Sequence, residues 1–278
     1  MDLSIIIVTW RVKELLKQCL ESVFANTNGL DFEIIVINND SGDGTVEMVE
    51  ENFPQVQLVK SSINLGFARA CNLGLKRASG ENLLLLNPDT RLVGNSLKIA
   101  NNILINDHSI GILGGQLLNY DKSIQPSVRS FPKFTDHLMM IFKLHHLIKL
   151  KRYLALDFDY QKQSEVDQVM GAFFLISRPA WEKIGDFDDR YYIWFEEVDY
   201  CQRAKRAGFK VVYSPEPKII HYGGRSFKQV FTLKNQWIFS KSRLRYVLKH
   251  QGFFSYAIIF VLTPVSLILT LLKFKNVE

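Results

Sequence analysis

The sequence predicts an α/β protein built on a mostly parallel central sheet with helices on both faces. Three observations carry this expectation. Short β-branched runs alternate with segments of helical periodicity along the N-terminal third of the chain. Those runs are apolar at nearly every position instead of at alternate ones, as strands covered on both faces must be. The length of 278 residues suits one large domain with an appendage, and would be cramped for two full domains.

Taken in order, Leu3 to Thr9 is a β-branched strand run, and Val12 to Ala25 carries Leu15, Leu16, Cys19, Leu20 and Val23 at helical spacing. Phe32 to Ile37 repeats the strand signal. Ser41-Gly42-Asp43-Gly44 supplies turn residues, and Thr45 to Phe53 reads as a helix. Val56 to Val59, Phe67 to Ala78 and Asn82 to Leu86 add a strand, a helix and a further strand. In open α/β sheets ligands bind beyond the carboxyl ends of the strands. The segments in that position are Thr9-Trp10-Arg11, Asn38 to Ser41, Ser61 to Phe67 and Asn87-Pro88-Asp89-Thr90, and each brings polar or acidic groups to that edge. Turn formation alone explains any one of them, but four in register point to a ligand edge. The GDGTVE stretch has Glu47 where a dinucleotide fingerprint needs its third glycine, which weighs against that function.

Bulk chemistry narrows the partners. The net charge of +6 is spread along the chain, but basic residues thicken from Ser226 to His250, just ahead of an apolar stretch, which favours anionic lipid headgroups over nucleic acid. Cys19, Cys71 and Cys201 are odd in number, far apart and without a CxxC pair, so a reducing compartment is expected. The opening apolar run is too short for a signal-peptide core. Phe253 to Leu272 is uncharged and long enough to cross a bilayer. It is expected to cross once or to return as a hairpin at Pro264, with a buried hairpin or dimer contact as the alternative. Lys228, Lys234, Lys241, Arg243, Arg245 and Lys249, interleaved with Phe231, Trp237, Phe239 and Tyr246, have the composition of an interfacial belt. His137, His145 and His146 fall in a basic apolar stretch that reads as an amphipathic surface helix.

The runs SIIIVTW, EIIVINNDSGDGT, NLGFARACNLGL, LLLLNPDT, GAFFLISRPAWEKIGDFDDRYYIWFEEVDYCQRAKRAGF and IIHYGG, in this order, resemble family 2 of the inverting glycosyltransferases, most closely its bacterial rhamnosyltransferase-like branch. The resemblance covers residues 3 to 225 and is poor only over Phe131 to Asp167. It implies a GT-A nucleotide-diphospho-sugar transferase domain over 1–225, with a donor half over 1–120 and an acceptor half over 165–225; the composition of 226–278 separately predicts a basic interfacial region and a hydrophobic membrane-associated segment (253–272). It also implies donor contacts from Thr9, Trp10, Asp40, Asn64, Gly66, Arg69, Asn87 and Asp89. Asp40 would accept the N3–H of a uracil or thymine ring. Asp89 and His221 would hold a divalent cation, Mg2+ or Mn2+, against the diphosphate. Glu197 would be the base that deprotonates the acceptor hydroxyl, with Glu196 its support or its alternative. Gly171, Asp186, Asp188 and Trp194 would shape the acceptor side.

The sequence departs from the family pattern at Asn87, where an Asp is usual, at Glu196-Glu197 in place of Glu-Asp, and at Arg11 in place of Asn. The Asp199 and Arg203 pair reads as structural. The expected activity is transfer, with inversion, of rhamnose or a related deoxyhexose from a dTDP- or UDP-sugar to a cell-surface glycan or lipid-linked acceptor, at the cytoplasmic side of the membrane. A UDP-hexose transferase and a non-catalytic nucleotide-sugar-binding protein are the alternatives.

Overall fold

The computed structural model describes residues 1–144, 148, 150–223 and 232–274. The chain runs β1 (Leu3–Thr9), α1 (Lys13–Asn26), β2 (Phe32–Asn39), α2 (Thr45–Asn52), β3 (Gln57–Ser61), α3 (Phe67–Leu75), β4 (Asn82–Leu86), β5 (Thr90–Val93), α4 (Ser96–Asn106) and β6 (Ile110–Leu118). It continues through β7 (Val128–Arg129), α5 (Phe134–Ile141), β8 (Ser164–Glu165), β9 (Gln168–Val169), β10 (Phe173–Ser177), α6 (Arg178–Ile184), α7 (Glu196–Arg206), β11 (Lys210–His221) and α8 (Thr232–Phe274).

The main sheet has the order β3-β2-β1-β4-β10-β6-β11-β5, with β8 beside β11. The first four strands are parallel, as the βαβ alternation demands, with Leu3 opposite Phe32 and Thr9 opposite Asn38. All seven residues of β1 are buried. Ile5 and Ile7 face a layer with Leu16, Cys19 and Leu20 of α1, whereas Ile6 and Val8 face a layer with Ala68 and Cys71 of α3. Each of the buried Ile, Val and Leu side chains stabilises the fold by roughly 1.5–3 kcal/mol. Helix α3 lies so close to the sheet that a Cβ at Gly74 would sit 2.4 Å from Cγ2 of Ile6, so this contact requires glycine.

Beyond β4 the sheet becomes mixed. Strand β10 enters antiparallel between β4 and β6, and β11 runs parallel to β6 but antiparallel to β5. Fully apolar strands carry no direction signal, so this half was not legible as mixed. A two-stranded ribbon, β7 with β9, stands off the main sheet.

The C-terminal helix corrects three expectations. Gly252 adopts φ 86° and ψ 171°, and the chain reverses there, not at Pro264, which lies inside the second arm. Gln236 on the first arm meets Ser266 and Thr270 on the second through hydrogen bonds of 3.1 and 3.5 Å, so the two arms form a helical hairpin. Ile259 and Val247 of the hairpin pack with Ile141 of α5, while Phe253, Phe254, Phe260 and Val261 point outward and exposed. The basic residues do not form a continuous belt. Arg243 is fully buried, and Lys249 bridges Asp188 and Asp199. His137 is not on a surface helix face either. It is buried between Phe195 and Tyr246, where loss of solvent drives its pKa down to about 3 and keeps the ring neutral. His145, His146, Lys228 and Phe231 lie outside the described residues.

Candidate active site

Because β1, β2 and β4 are parallel, their carboxyl ends open on one edge of the sheet, and a cavity of about 570 Å³ lies there. Trp10 and Arg11 follow β1, Asp40 follows β2, and Asn64 and Gly66 precede α3, all lining the cavity. Asp40 is exposed and takes a left-handed backbone conformation, φ 64°, one that Asp tolerates better than most residues. The Asn64 carboxamide oxygen accepts bonds from Tyr192 Oη, Asn39 Nδ2 and the Gly66 amide, so it organises the loop. The expected reason for Gly66 was close approach to a nucleotide. The structure supplies a nearer one, since a Cβ there would fall 2.5 Å from the Tyr192 carbonyl and its φ is 81°.

Asp89 and His221 meet because Thr90 pairs with His221 across β5 and β11. The His221 Nδ1–H donates to Gln125 Oε1 at 2.7 Å, which leaves Nε2 as a bare acceptor 3.4 Å from Asp89 Oδ1. Nε2 has no hydrogen-bond partner although it is buried. Two acceptors converging in this way, with the imidazole oriented by an outer partner, are what a cation would join. The pair therefore fits a divalent metal. Among the described residues no third His, Cys, Asp or Glu completes a cluster, so remaining ligands would come from elsewhere.

Glu196 and Glu197 open helix α7, directly after Trp194 and Phe195, which have φ of 65° and 70°. Strain of this kind costs on the order of 1–3 kcal/mol per residue and persists only where surroundings impose it. Here Phe195 packs against Phe239 and Tyr246 of the first arm of α8, and Ser242 Oγ donates to the Ile193 carbonyl at 2.7 Å. Both carboxylates line the cavity. Burial, then the charge of Glu197, pushes the Glu196 pKa well above the carboxylate range. Burial also raises that of Glu197, but helix amides and the Arg129 guanidinium oppose the rise. The environment thus separates a neutral Glu196 from an ionisable Glu197. Glu197 Oε2 has no hydrogen-bond partner.

Of the other residues expected at the site, Asn87, Gly171 and Trp194 line the cavity, and a Cβ at Gly171 would meet open space. Four do not line it. Thr9 is buried in β1, and Arg69 pairs with Asp189 at 3.4 Å. Asp186 pairs with Lys76, and Asp188 with Arg190 and Lys249. These charges satisfy local partners, as Asp199 does with Arg203 at 2.9 Å. Sequence reasoning missed Arg129, Tyr153, Gln168 and Tyr192 in the wall, and took Lys234 and Phe239 for a membrane belt. No local pattern marks the first four, which reach the cavity through the tertiary fold.

The chain belongs to the family described as glycosyltransferase like family 2, whose model matches residues 2–240. It is a glycosyltransferase. Among relatives, it is 25% identical over 237 residues to the N-acetylglucosaminyl-diphospho-decaprenol L-rhamnosyltransferase of Mycobacterium tuberculosis, covering 81% of this chain and 77% of that one. The rhamnosyltransferase WbbL of Escherichia coli is 26% identical over 121 residues, 44% of each chain. Two solved structures share the fold. GalNAc-T7 with UDP, GalNAc and Mn2+ has a TM-score of 0.61 at 16% identity, with 80% of this chain and 44% of that one covered. S. aureus TarS 1-349 in complex with UDP has a TM-score of 0.57 at 14% identity, with 89% and 72% covered.

Proposed function

We propose that this enzyme moves rhamnose or a related deoxyhexose, with inversion, from a dTDP- or UDP-linked donor to a hydroxyl of a lipid-linked or cell-surface glycan. The observation that carries the reading is one cavity holding two carboxylate sites of different chemistry, Asp89 with His221 and Glu196 with Glu197. Asp40 accepts the N3–H of the pyrimidine, and Trp10 with Asn87 borders the sugar diphosphate. A divalent cation held by Asp89 and His221 would neutralise charge on the departing diphosphate. Glu197 removes the proton of the acceptor hydroxyl as that oxygen bonds to the anomeric carbon, and the carbon's bond to the diphosphate oxygen breaks on the opposite face. Glu196 stays protonated and keeps the pair from carrying two charges.

The catalytic unit spans 1–225, its donor half over 1–120 and its acceptor half over 165–225, with the first arm of α8 adding Lys234, Asn235, Ile238 and Phe239 to the wall. The exposed apolar second arm rests on the cytoplasmic face of the membrane. No acidic residue occurs from Pro217 to Val277, which suits an anionic surface. The Mycobacterium tuberculosis relative, whose named substrate is a diphospho-decaprenol lipid, supports a lipid-linked acceptor.

Incubating purified full-length protein with dTDP-rhamnose, UDP-glucose and UDP-N-acetylglucosamine, with Mn2+ and a polyprenyl-diphosphate-linked sugar, tests the reading by mass spectrometry of the products. A deoxyhexose mass increment is expected. Turnover of a UDP-hexose alone would move the assignment to that donor, and nucleotide binding without turnover of any donor would overturn it.

A further inference from the structure

Most basic side chains around the cavity are already neutralised. Arg69, Lys76, Arg190, Arg203 and Lys249 each pair with an aspartate, and Arg243 is buried. On the first arm of α8, however, Lys234, Trp237 and Lys241 are all exposed, and spacings of three and four residues set them in one stripe on a single helix face. Neither lysine has an ion-pair or hydrogen-bond partner among the described residues, and no Asp or Glu occurs from Pro217 to Val277 to supply one locally. The stripe begins in the active site. Lys234 lines the cavity with Ile238 and Phe239, and Phe239 packs against Phe195, the residue just before Glu196. One residue before Trp237, Gln236 bonds to Ser266 and Thr270 of the second arm, which leaves Ile268 and Leu271 exposed at that level. A cationic edge therefore lies between the cavity mouth and an apolar surface.

We propose that this stripe binds the prenyl diphosphate of a lipid-linked acceptor, with Lys234 and Lys241 on the diphosphate and Trp237 against the first prenyl units. The inference rests on the reading that the acceptor is lipid-linked, and it assigns the residues that recognise the carrier instead of the sugar. Such an acceptor joins a sugar, a diphosphate and a long apolar chain in that order. The surface offers matching chemistry in the same order, with Glu197 and Trp194 in the cavity, the two lysines along its edge, and Trp237, Ile268 and Leu271 outside. Lys234 and Lys241 stand about 10 Å apart along the helix axis, and each ammonium rides on a flexible four-carbon stem, so both reach one diphosphate. The donor diphosphate would meet a metal at Asp89 and His221, whereas this second anion is neutralised directly by ammonium groups and needs none. The indole of Trp237 suits the boundary between a polar headgroup and an apolar chain.

The test is binding of farnesyl diphosphate and of farnesol to the full-length protein in neutral detergent micelles, read by calorimetry with EDTA present so that Asp89 and His221 hold no cation. Farnesyl diphosphate should bind the wild type more tightly than farnesol does. An exposed charge pair contributes modestly, so Lys234→Gln and Lys241→Gln should each weaken farnesyl diphosphate about threefold, and the double variant about tenfold, with farnesol unmoved. Lys234→Arg with Lys241→Arg should keep the affinity, and Trp237→Ala should weaken both ligands. All three positions are exposed, so melting temperatures should stay near wild type. The proposal is overturned if the wild type does not bind farnesyl diphosphate, if the double variant binds it as tightly as wild type, or if farnesol affinity falls equally. Displacement of farnesyl diphosphate by an equal amount of phosphatidylglycerol would overturn it too, making the stripe a contact for membrane headgroups. Binding as expected with no product from any donor on a prenyl-diphosphate-linked sugar would instead sink the transfer reading and leave the stripe standing.

Discussion

Asp199 links the catalytic helix to the C-terminal hairpin, and Asp199→Asn tests how much that link is worth. The carboxylate has no solvent exposure and is met by Arg203 Nε at 2.9 Å, Lys249 Nζ at 2.7 Å and His250 Nε2 at 2.7 Å. An asparagine keeps one acceptor but turns an N–H2 group toward one or more of these donors and leaves the cations without their counter-charge. Breaking a buried pair in this way costs about 3–5 kcal/mol. That is a large share of the roughly 5–15 kcal/mol of a typical domain. Burial raises the Asp199 pKa, but its bonds to His250 and Lys249 outweigh this and hold it below the usual carboxylate range. A depressed folded pKa contributes stability above the unfolded value, and that stability is lost as pH falls through the folded one. Urea unfolding should therefore show a loss of about 3–5 kcal/mol at pH 7, shrinking as pH falls below the ordinary Asp range. Transfer should fall as well, since Glu197 lies two residues away on α7. A loss under about 1 kcal/mol with an unchanged pH slope would refute the staple.

Three further outcomes follow from the geometry. Asp89→Ala and His221→Ala should each weaken Mn2+-dependent binding of UDP, read by calorimetry, while leaving binding of uridine little changed, and chelator should stop transfer by the wild type. Gly66→Ala sets a Cβ against the Tyr192 carbonyl at a φ of 81°, so it should lower the melting temperature by several degrees and impair nucleotide binding, whereas Gly171→Ala, facing open space, should leave the fold intact. A chain ending at Gln251 should lose flotation with phosphatidylglycerol vesicles yet keep nucleotide binding, because its first α8 arm still walls the cavity, whereas a chain ending at Gly223 should lose transfer to soluble acceptors too.

The N-terminal half was legible because each strand there is a continuous apolar run and each donor loop follows its strand directly. Asn82–Leu86 is the strand expected from sequence, and the second arm of the hairpin begins where the uncharged run begins, at Phe253. Asp89 and Glu197 stood in short acidic motifs beside strand or helix ends. What escaped was pairing at a distance. Lys249 looked like part of a membrane belt because Asp188 and Asp199 lie some fifty or sixty residues upstream, and only the fold brings them together; Arg243 is instead buried with its guanidinium over the Phe239 ring. Asp186, Asp188 and Arg69 looked like site residues for the converse reason, since their partners Lys76, Lys249 and Asp189 are not visible in any local pattern. Arg129 and Tyr153 lie in or beside the stretch that matches the family poorly, so neither periodicity nor motif pointed to them. His137 shows the same limit, because a helix of basic and apolar residues does not reveal that one face will be covered by Phe195 and Tyr246.

The proposed transfer is a single displacement in which Glu197 is the base. Proton NMR of the sugar product formed by the full-length protein from a donor of known anomeric configuration, run beside Glu197→Gln, tests that directly. The product should carry an inverted anomeric centre, and the rate for Glu197→Gln should be lower by about two to four orders of magnitude with nucleotide affinity retained. Retention of configuration, or a Glu197→Gln enzyme that transfers at the wild-type rate, would contradict it.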